Sequence, residues 1–530
     1  MRQRVVNASF GLPTLGATGS STTVLTGAVF AWLAAMAWLR PLSLPDEGRY
    51  VGVALEMLAS GNWLEPTLDT LPYFHKPPLF YWLTAASLAT FGINTWAARL
   101  GSLLAATGCA LGVYRFLWCW AGQAHARRAL LVLVTTPFFY GGAQFANLDM
   151  LVAACISGTI LCAAHAVLAA PDDARLSRPA LAGAYAFAAL GLLAKGLIGM
   201  VIPTMVIGIW LLFIGRSRMI HRLLWPPGVA LFAVIGLPWF LLMQARYPGF
   251  FDYFFVHHHF ERFAAQGFNN ARPFWFLIAA FAGVTLPWSV FLVGAARARE
   301  DPQSGSVPSQ VRALMWIWLL STLVFFSIPK SKLIGYVLVA VPPFAALVAD
   351  GLVRAAGSWA RARTLAMRMV VVAVAIGATM LIVVNSRDRA RDNTRLLAAL
   401  LSPRLTSADP LVVLYNYPFS LPFYLKRAPP LHVVEEWADS RVLQRDTWRR
   451  ELYEAAAFDP VHGKALLLDP GAMHSLLSCA THPVWLIVAS ASEDRLPHMV
   501  GLERLAQVGK DSIWRKAPSA ASDTDSGCRP

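Results

Sequence analysis

Charged residues are scarce in this sequence. Only 14% of its 530 residues are charged, whereas 56% are hydrophobic and the mean hydropathy is +0.51. This balance excludes an ordinary soluble domain and indicates a protein whose solvent is the lipid bilayer. Acidic residues are fewer than basic ones, with 30 Asp and Glu against 45 Lys and Arg. The arginines lie in short gaps between apolar segments, which indicates membrane topology and contact with anionic lipids, and argues against nucleic acid as a partner.

Cysteine is also rare, and the six cysteines show no spacing typical of a metal site. Four of them fall within or at the ends of apolar segments, where small core residues are expected: Cys109, Cys119, Cys155 and Cys162. Cys479 and Cys528 belong to the polar C-terminal part of the chain. If that part is extracytoplasmic, a disulfide between them is permitted.

Apolar stretches of about 20 residues, the length that spans a bilayer, recur from Thr23 to Val384 and are lacking afterwards. No small-residue cleavage site follows the first stretch, so we expect it to remain as a helix. Gaps rich in arginine mark the cytoplasmic side. Residues 77–91 are too few to span, and we interpret them as a helix along the outer interface. The sequence thus predicts eleven spans, or twelve to thirteen if this segment crosses: near 23–40, 96–118, 129–145, 150–168, 180–194, 197–214, 225–243, 273–295, 311–328, 333–352 and 366–384.

These crossings divide the chain into four predicted parts. A cytoplasmic segment, 1–22, precedes a transmembrane catalytic domain, 23–384, whose first periplasmic loop is 42–95. After residue 385, short apolar runs alternate with polar helix-like stretches, which predicts a small periplasmic α/β domain at 385–516. The tail, 517–530, is rich in Ser, Ala and Asp and is expected to be disordered. The predicted fold class is a polytopic α-helical membrane protein with a C-terminal α/β domain.

Acidic side chains occur at two predicted outer loops. Asp46, Glu47 and Arg49 begin an amphipathic stretch after the first span, and Asp149 stands at the outer end of a later span. An aspartate before a helix is a common N-cap, so each aspartate has a structural alternative. The functional alternative is a base at the boundary between lipid and water.

Basic side chains at outward loops carry more weight. The predicted outer face holds Lys76, Lys195, Arg262, Lys330 and Lys332. The positive-inside tendency predicts few cations there, and anchoring by snorkelling accounts for only one or two. We therefore predict a phosphate or diphosphate site in the interfacial plane.

Histidine and glutamate side chains permit a metal hypothesis. His75, together with His257 and Glu261 one helical turn apart, offers ligands suited to zinc or another divalent ion. The alternative is an aromatic interfacial segment, because phenylalanines and Tyr253 surround these histidines. No cofactor is required by the pattern.

Several short motifs together resemble one known family. The chain is similar to the bacterial aminoarabinose lipid A transferases and related polyprenyl-phosphate-sugar glycosyltransferases of the GT-C fold, and more distantly to protein O-mannosyltransferases. The resemblance runs from about residue 44 to 343. It depends on the segments Pro-Asp-Glu-Gly-Arg-Tyr at 45–50, Tyr-Phe-His-Lys-Pro-Pro-Leu at 73–79, Leu-Asp-Met at 148–150, Ala-Lys-Gly at 194–196, His-Phe-Glu-Arg-Phe at 259–263 and Pro-Lys-Ser-Lys-Leu-Ile-Gly-Tyr at 329–336.

The resemblance implies transfer of a sugar, with inversion, from undecaprenyl phosphate to lipid A or another periplasmic acceptor, by a monomer in the cell inner membrane. Lys76, Lys195, Arg262 and Tyr336 would hold the lipid phosphate. Asp46 and Asp149, with Arg49, would orient or activate the acceptor and the sugar. Glu47, Lys330 and Lys332 are further candidates. If the acceptor is already an anionic phosphate, Asp46 positions it more than it deprotonates it.

The sequence departs from the family at two motif positions. His75 stands where the family often has glutamate, and Ile334 replaces a common proline. The first departure bears on the metal hypothesis. Two other classes of protein compete with an enzyme, namely a transporter or flippase for polyprenyl lipids and a structural membrane subunit. Charges concentrated at helix ends on one side favour the enzyme, because transporter sites usually lie near the membrane midplane.

Overall fold

The computed structural model describes residues 19–170, 175–261, 271–296, 307–356, 359–391, 393–439 and 447–518, and leaves the side chains of residues 257–261 undescribed. Arg262 and the side chains of His257 and Glu261 therefore lie outside the described part of the chain, as do most of the predicted N-terminal segment and C-terminal tail.

The first part of the chain is a bundle of apolar helices, as expected for a multi-pass membrane protein. Within the described ranges, five helices are long and apolar enough to cross a membrane, or seven if each of two bent pairs counts as one span. The eleven predicted spans each coincide with a helix or a helix pair, and their number stays a prediction. The helices are α1 (Gly19–Ala34), α2 (Asp46–Ser60), α3 (Leu79–Phe91), α4 (Thr95–Ala121), α5 (Gln123–Thr135), α6 (Pro137–Ala143), α7 (Leu148–Leu168), α8 (Arg178–Lys195), α9 (Ile198–Phe213), α10 (Arg218–Leu223), α11 (Pro226–Gly236), α12 (Pro238–Arg246), a π-helix (Asp252–Glu261), α13 (Phe276–Val284), α14 (Leu292–Ala296), α15 (Ser309–Ser327), α16 (Val341–Ala356) and α17 (Trp359–Arg391), with 3-10 turns at Trp288–Phe291 and Ile334–Ala340.

Two segments predicted as single spans are bent pairs of helices. Helices α11 and α12 meet at 44°, and the axis turns by 106° between α13 and the helix from Trp288 to Ala296. Proline stands at each break, Pro238 in the first pair and Pro287 in the second. Proline has no amide hydrogen and clashes with the preceding turn, so a straight helix cannot continue through it.

The first loop is an ordered structure made of α2, a short hairpin and α3. The hairpin pairs strands β1 (Thr67–Leu68) and β2 (Leu71–Pro72), and α2 ends at Gly61 in the left-handed conformation that glycine adopts without strain. Helix α3 has 13 residues. At 1.5 Å per residue it is about 20 Å long, shorter than the hydrocarbon core of a bilayer.

The C-terminal α/β domain contains one six-stranded sheet. Its order is β5-β4-β3-β6-β8-β7, with parallel pairing from β5 to β6 and antiparallel pairing of β8 with both β6 and β7. The parallel strands are apolar runs apart from His432 in β4, as expected of strands covered on both faces. The strands are β3 (Leu411–Leu414), β4 (Leu431–Val434), β5 (Leu467–Leu468), β6 (Val484–Ala489), β7 (Leu502–Val508) and β8 (Asp511–Lys516), and the helices are α18 (Thr394–Leu401), α19 (Leu421–Leu425), α20 (Trp448–Ala456), α21 (Pro460–Leu466) and α22 (Pro470–Cys479), with a 3-10 turn at Ser490–Arg495.

The prediction of small core residues is confirmed for three of the four cysteines in apolar segments and is wrong for Cys119. Cys109, Cys155 and Cys162 are buried free thiols, and Cys119 is an exposed one. Cys479 is disulfide-bonded, and Cys528, its predicted partner, lies outside the described residues.

Candidate functional site

Two neighbouring carboxylates in the first turn of α2, those of Asp46 and Glu47, have opposite environments. Asp46 is 48% exposed and forms an ion pair with Arg49, which lies one turn later on the same helix face. Arg49 also pairs with Glu451, and its guanidinium stacks 5.3 Å from the centre of the Tyr50 ring. The candidate residues Asp46 and Arg49 are therefore in contact, and Arg49 is held between two carboxylates.

Glu47 points into the protein and is fully buried. It accepts hydrogen bonds from Arg40 at 2.6 Å, from Arg99 at 2.8 Å and from the amides of Ser43 and Ala146, both at 2.8 Å. Burial alone would raise the pKa of the Glu47 carboxyl, but the two guanidinium groups lower it to about 2. Glu47, one of the predicted candidates, therefore connects α2 to α4 and to the residues just before α7.

A second group of candidates meets where α7 begins and α8 ends. Asn147 caps α7, accepts from the Asp149 amide at 3.0 Å and donates to the Asp149 carboxylate at 3.2 Å. Lys195, the last residue of α8, forms an ion pair with Asp149, and its ammonium lies 4.8 Å from the centre of the Tyr336 ring. A Cβ atom at Gly335 would overlap the Asp149 carboxylate, so this approach requires glycine.

The two groups lie near one another. Burial raises the pKa of the Tyr50 hydroxyl; the Arg49 guanidinium opposes this increase, and the carboxylates of both Asp46 and Asp149 add to it. Tyr50 therefore lies within electrostatic range of both aspartates. The two aspartates, far apart in sequence, therefore both lie near Tyr50.

His75 approaches this site from the first loop, and Lys76 is the next residue in the chain. The His75 ring stacks on Tyr73, with ring centres 4.6 Å apart, and its Nε2 lies 3.3 Å from a carboxylate oxygen of Glu454. Lys76 is followed by Pro77 and Pro78, which precede α3. The side chain of Lys76 is partly buried.

Sequence reasoning missed two carboxylates that α20 contributes from the C-terminal domain. Glu451 contacts Arg49 and accepts from the Tyr73 hydroxyl at 3.3 Å, while Glu454 accepts from Tyr253 at 2.9 Å and lies beside His75. Both residues fall in a polar helical stretch that matched no motif. A charged helix of this kind is usually a solvated surface, so its sequence carried no signal that it enters a site.

The predicted candidate Lys332 has a different environment from Lys195. It is buried, and its ammonium donates to the backbone carbonyls of Arg272, at 3.0 Å, and Pro329. The Arg272 amide donates in turn to the Lys330 carbonyl at 3.0 Å. Lys332 thus joins two loops through their backbones, and the side chain of Lys330 is exposed next to this junction.

The metal hypothesis has little support from the side chains that can be evaluated. In the described ranges, no three His, Cys, Asp or Glu side chains converge as a metal site. His75 and Glu454 provide one nitrogen and one oxygen, fewer than the three protein ligands of a catalytic zinc site. His257 and Glu261 have no described side chains, so that predicted set is not tested.

Comparison with known proteins places this architecture in a class. The family described as dolichyl-phosphate-mannose-protein mannosyltransferase matches residues 75–241. The crystal structure of ArnT from Cupriavidus metallidurans bound to undecaprenyl phosphate superimposes with a TM-score of 0.77 at 24% identity, covering 97% of this chain and 100% of that one. The archaeal oligosaccharyltransferase AglB from Archaeoglobus fulgidus gives a TM-score of 0.52 at 12% identity over 90% of this chain and 70% of that one. The chain therefore has the GT-C fold.

Sequence comparison identifies relatives with a narrower description than the GT-C fold. An undecaprenyl phosphate-alpha-4-amino-4-deoxy-L-arabinose arabinosyl transferase from Erwinia tasmaniensis is 32% identical over 346 residues, 63% of this chain and 60% of the relative. A protein of the same description from Pseudomonas aeruginosa is 31% identical over 326 residues, 60% of this chain and 58% of the relative. The chain spans about three fifths of the length of these curated relatives. The resemblance inferred from the motifs is confirmed, and the chain is ArnT-like in sequence and in fold.

Proposed function

We propose that this chain is an inverting glycosyltransferase that moves a sugar from undecaprenyl phosphate to an acceptor at the periplasmic face of the inner membrane. The observation that carries the proposal is the contact of Lys195 with Asp149 and Tyr336, close to the Asp46 and Arg49 pair. The names of the relatives favour 4-amino-4-deoxy-L-arabinose as the sugar. The resemblance favours lipid A as the acceptor.

The donor phosphate is assigned to the Lys195 side of the site. The bond between the anomeric carbon and the phosphate oxygen breaks, and its electron pair stays on the phosphate. Lys195 and Tyr336 would stabilise that developing charge, together with Lys76 and Arg262, which the family resemblance assigns to the same phosphate. Preorganised donors accelerate group transfer in this way. A phosphate bound next to Lys195 would share its ammonium with Asp149.

The acceptor is assigned to the Asp46 side. Its oxygen attacks the anomeric carbon on the face opposite the leaving phosphate, which inverts the configuration. An acceptor phosphate is already anionic and loses no proton, whereas an acceptor hydroxyl would give its proton to Asp46. Because Asp46 is the most exposed carboxylate of the Arg49 cluster, it is the one that an incoming acceptor meets first.

The position of the charged groups also supports an interfacial enzyme over a transporter. Asp46 opens α2, Asp149 follows the cap of α7, and Lys195 ends α8, so each acts from a helix terminus. Transporters usually bind substrate near the midplane on interrupted helices. We therefore place the site at the membrane surface, in a monomer surrounded by lipid.

A protein acceptor is the second candidate, favoured by the match of residues 75–241 to a protein mannosyltransferase family. Such an enzyme would bind its lipid-linked donor on the same Lys195 side of the site. The two candidates differ only in what occupies the Asp46 side.

Mass spectrometry of lipid A and of the undecaprenyl-phosphate-sugar pool tests the proposal, comparing cells that express the wild type, Asp46→Asn or Lys76→Ala. Loss of a glycosyl unit from lipid A in both variants, with accumulation of the donor, is the expected result, and the mass identifies the sugar. Donor accumulation with unchanged lipid A would transfer the assignment to another acceptor, such as a protein. If neither pool changes, the glycosyltransferase proposal is wrong.

A further inference from the structure

The hairpin of the first loop turns through two residues with left-handed backbone conformations. Strands β1 and β2 pair on either side of Asp69 and Thr70, whose φ angles are 56° and 62°. A two-residue hairpin turn favours positive φ at both positions, and its second residue is usually glycine, which adopts that conformation without strain. Threonine is branched at Cβ and disfavours it, so contacts around the turn must hold Thr70 in place.

Glu56 supplies these contacts from α2. Its buried carboxylate accepts hydrogen bonds from the Asp69 amide at 2.7 Å, the Thr70 amide at 2.9 Å and the Thr67 hydroxyl at 2.7 Å. One carboxylate oxygen takes the Asp69 amide, and the other takes the Thr70 amide. Both oxygens of an ionised carboxylate are acceptors, whereas an amide side chain would place a donor against one of these N–H groups. A carboxylate at position 56 therefore stabilises the left-handed turn.

The turn is connected to the candidate site through β2. Tyr73 follows β2, and its amide extends the hairpin pairing by donating to the Pro66 carbonyl at 2.8 Å. The Tyr73 hydroxyl donates to Glu451, which pairs with Arg49. The Tyr73 ring also stacks on His75. The position of β2 therefore determines where this segment meets the site.

The turn also contacts the C-terminal domain. The Asp69 carboxylate accepts a hydrogen bond from the amide of Leu431, the first residue of β4, at 2.8 Å. Helix α20, which carries Glu451 and Glu454, follows β4 in the chain. One turn thus connects α2, the segment after β2 and the domain that contributes α20.

We propose that Glu56 is a positioning residue for the sugar transfer proposed above, on which this inference rests. It holds the turn of Asp69 and Thr70, and the turn fixes Tyr73 and the adjoining segment as far as Lys76, which the family resemblance assigns to the donor phosphate. Glu56 acts through the backbone of the hairpin and not on the substrate. The carboxylate should therefore become dispensable once the turn can form without it.

The test compares sugar transfer by the full-length wild type, Glu56→Gln and the double variant Glu56→Gln/Thr70→Gly in detergent. Glutamine removes one acceptor oxygen at nearly constant shape, and kcat/KM should fall by about tenfold or more, the effect of a small misplacement of substrate-contacting groups. Glycine adopts positive φ without the carboxylate, so the double variant should recover to within about threefold of the wild type. If Glu56 only filled the core, Thr70→Gly would not raise the rate.

Glu65→Gln is the matched control. Glu65 is a second buried carboxylate of the first loop, but it pairs with Arg246 at 3.1 Å and accepts from the Tyr247 hydroxyl. Adding Thr70→Gly to Glu65→Gln should restore neither the rate nor the Tm. Equal recovery in both backgrounds would show that Thr70→Gly stabilises the protein as a whole, and it would overturn the positioning role.

Two further outcomes would contradict this role of Glu56. One is a folded Glu56→Gln protein that transfers sugar at the wild-type rate, and the other is a loss of rate that Thr70→Gly does not reduce. If Glu56→Gln does not fold, the double variant decides, because sugar transfer by it supports the positioning role and failure to fold or to transfer overturns it. A wild type that transfers no sugar would instead refute the proposed function.

Discussion

Two ion-paired clusters that both contact the start of α7 have opposite environments. Glu47 with Arg40 and Arg99 is almost completely buried, and every charge in it has an opposite partner. Asp149 with Lys195 is 20% and 15% exposed, and the face of an aromatic ring lies against the ammonium. The first cluster has no room for a ligand, whereas the second is open to one. The two clusters therefore differ mainly in accessibility. The buried Glu47 cluster is structural, and the accessible Asp149–Lys195 pair belongs to the candidate site.

Breaking the buried cluster should produce the largest effect. Glu47→Gln removes the anion that buried Arg40 and Arg99 share, which leaves Arg40 paired with Asp388 alone, and breaking a buried pair typically costs about 3–5 kcal/mol. We expect a loss of that size in the free energy of unfolding, measured by denaturation in detergent. Asp46→Asn, one residue earlier, is the control and should cost less than about 1 kcal/mol because the carboxylate is half exposed. Equal losses would refute the distinction between the two clusters.

A substitution in the accessible Asp149–Lys195 cluster should lower the activity more than the stability. Lys195→Ala removes a cation from the proposed leaving phosphate and should reduce kcat by about 100-fold or more, with a small change in Tm. Rates of sugar transfer and melting curves measure the two quantities. Normal transfer by a folded Lys195→Ala protein would place the donor phosphate elsewhere.

Removing the contact that the C-terminal domain makes with Arg49 should reduce activity less than Lys195→Ala does. Glu451→Gln keeps the size of the side chain but removes the charge that holds Arg49, so we expect kcat/KM to fall by about tenfold. The same change at Glu503, an exposed residue on β7, should have no effect. If both variants transfer sugar at the wild-type rate, α20 contacts Arg49 without positioning it for the reaction.

The pH dependence of stability should be the smallest effect. The Glu47 carboxyl has a pKa of about 2 in the folded protein, below its value in the unfolded chain. Its contribution is fully present above the unfolded pKa and is lost as the pH falls towards 2. Between pH 5 and pH 3.5 the loss is about 1 kcal/mol. Melting curves at both values should show it in the wild type, and Glu47→Gln should show a correspondingly smaller change.

Sequence patterns predicted the helical membrane fold, the α/β domain and the residues that meet at Asp149. They succeeded because apolar length and short motifs are local properties. Contacts between Glu451 and Arg49 join residues about four hundred positions apart, and no local pattern encodes them. Lys332 illustrates the other limit, since a lysine that joins two backbone loops is indistinguishable in sequence from one that binds phosphate.

Binding of undecaprenyl phosphate to the purified protein tests the central claim most directly. The affinities of the wild type, Lys195→Ala and the control Arg218→Ala, a change at an exposed arginine on α10, should be measured in the same detergent. We expect Lys195→Ala to bind at least about tenfold more weakly, a typical effect of losing a charge-assisted contact, while the control binds as the wild type does. Equal affinity for all three proteins would contradict the assignment of the donor phosphate to Lys195.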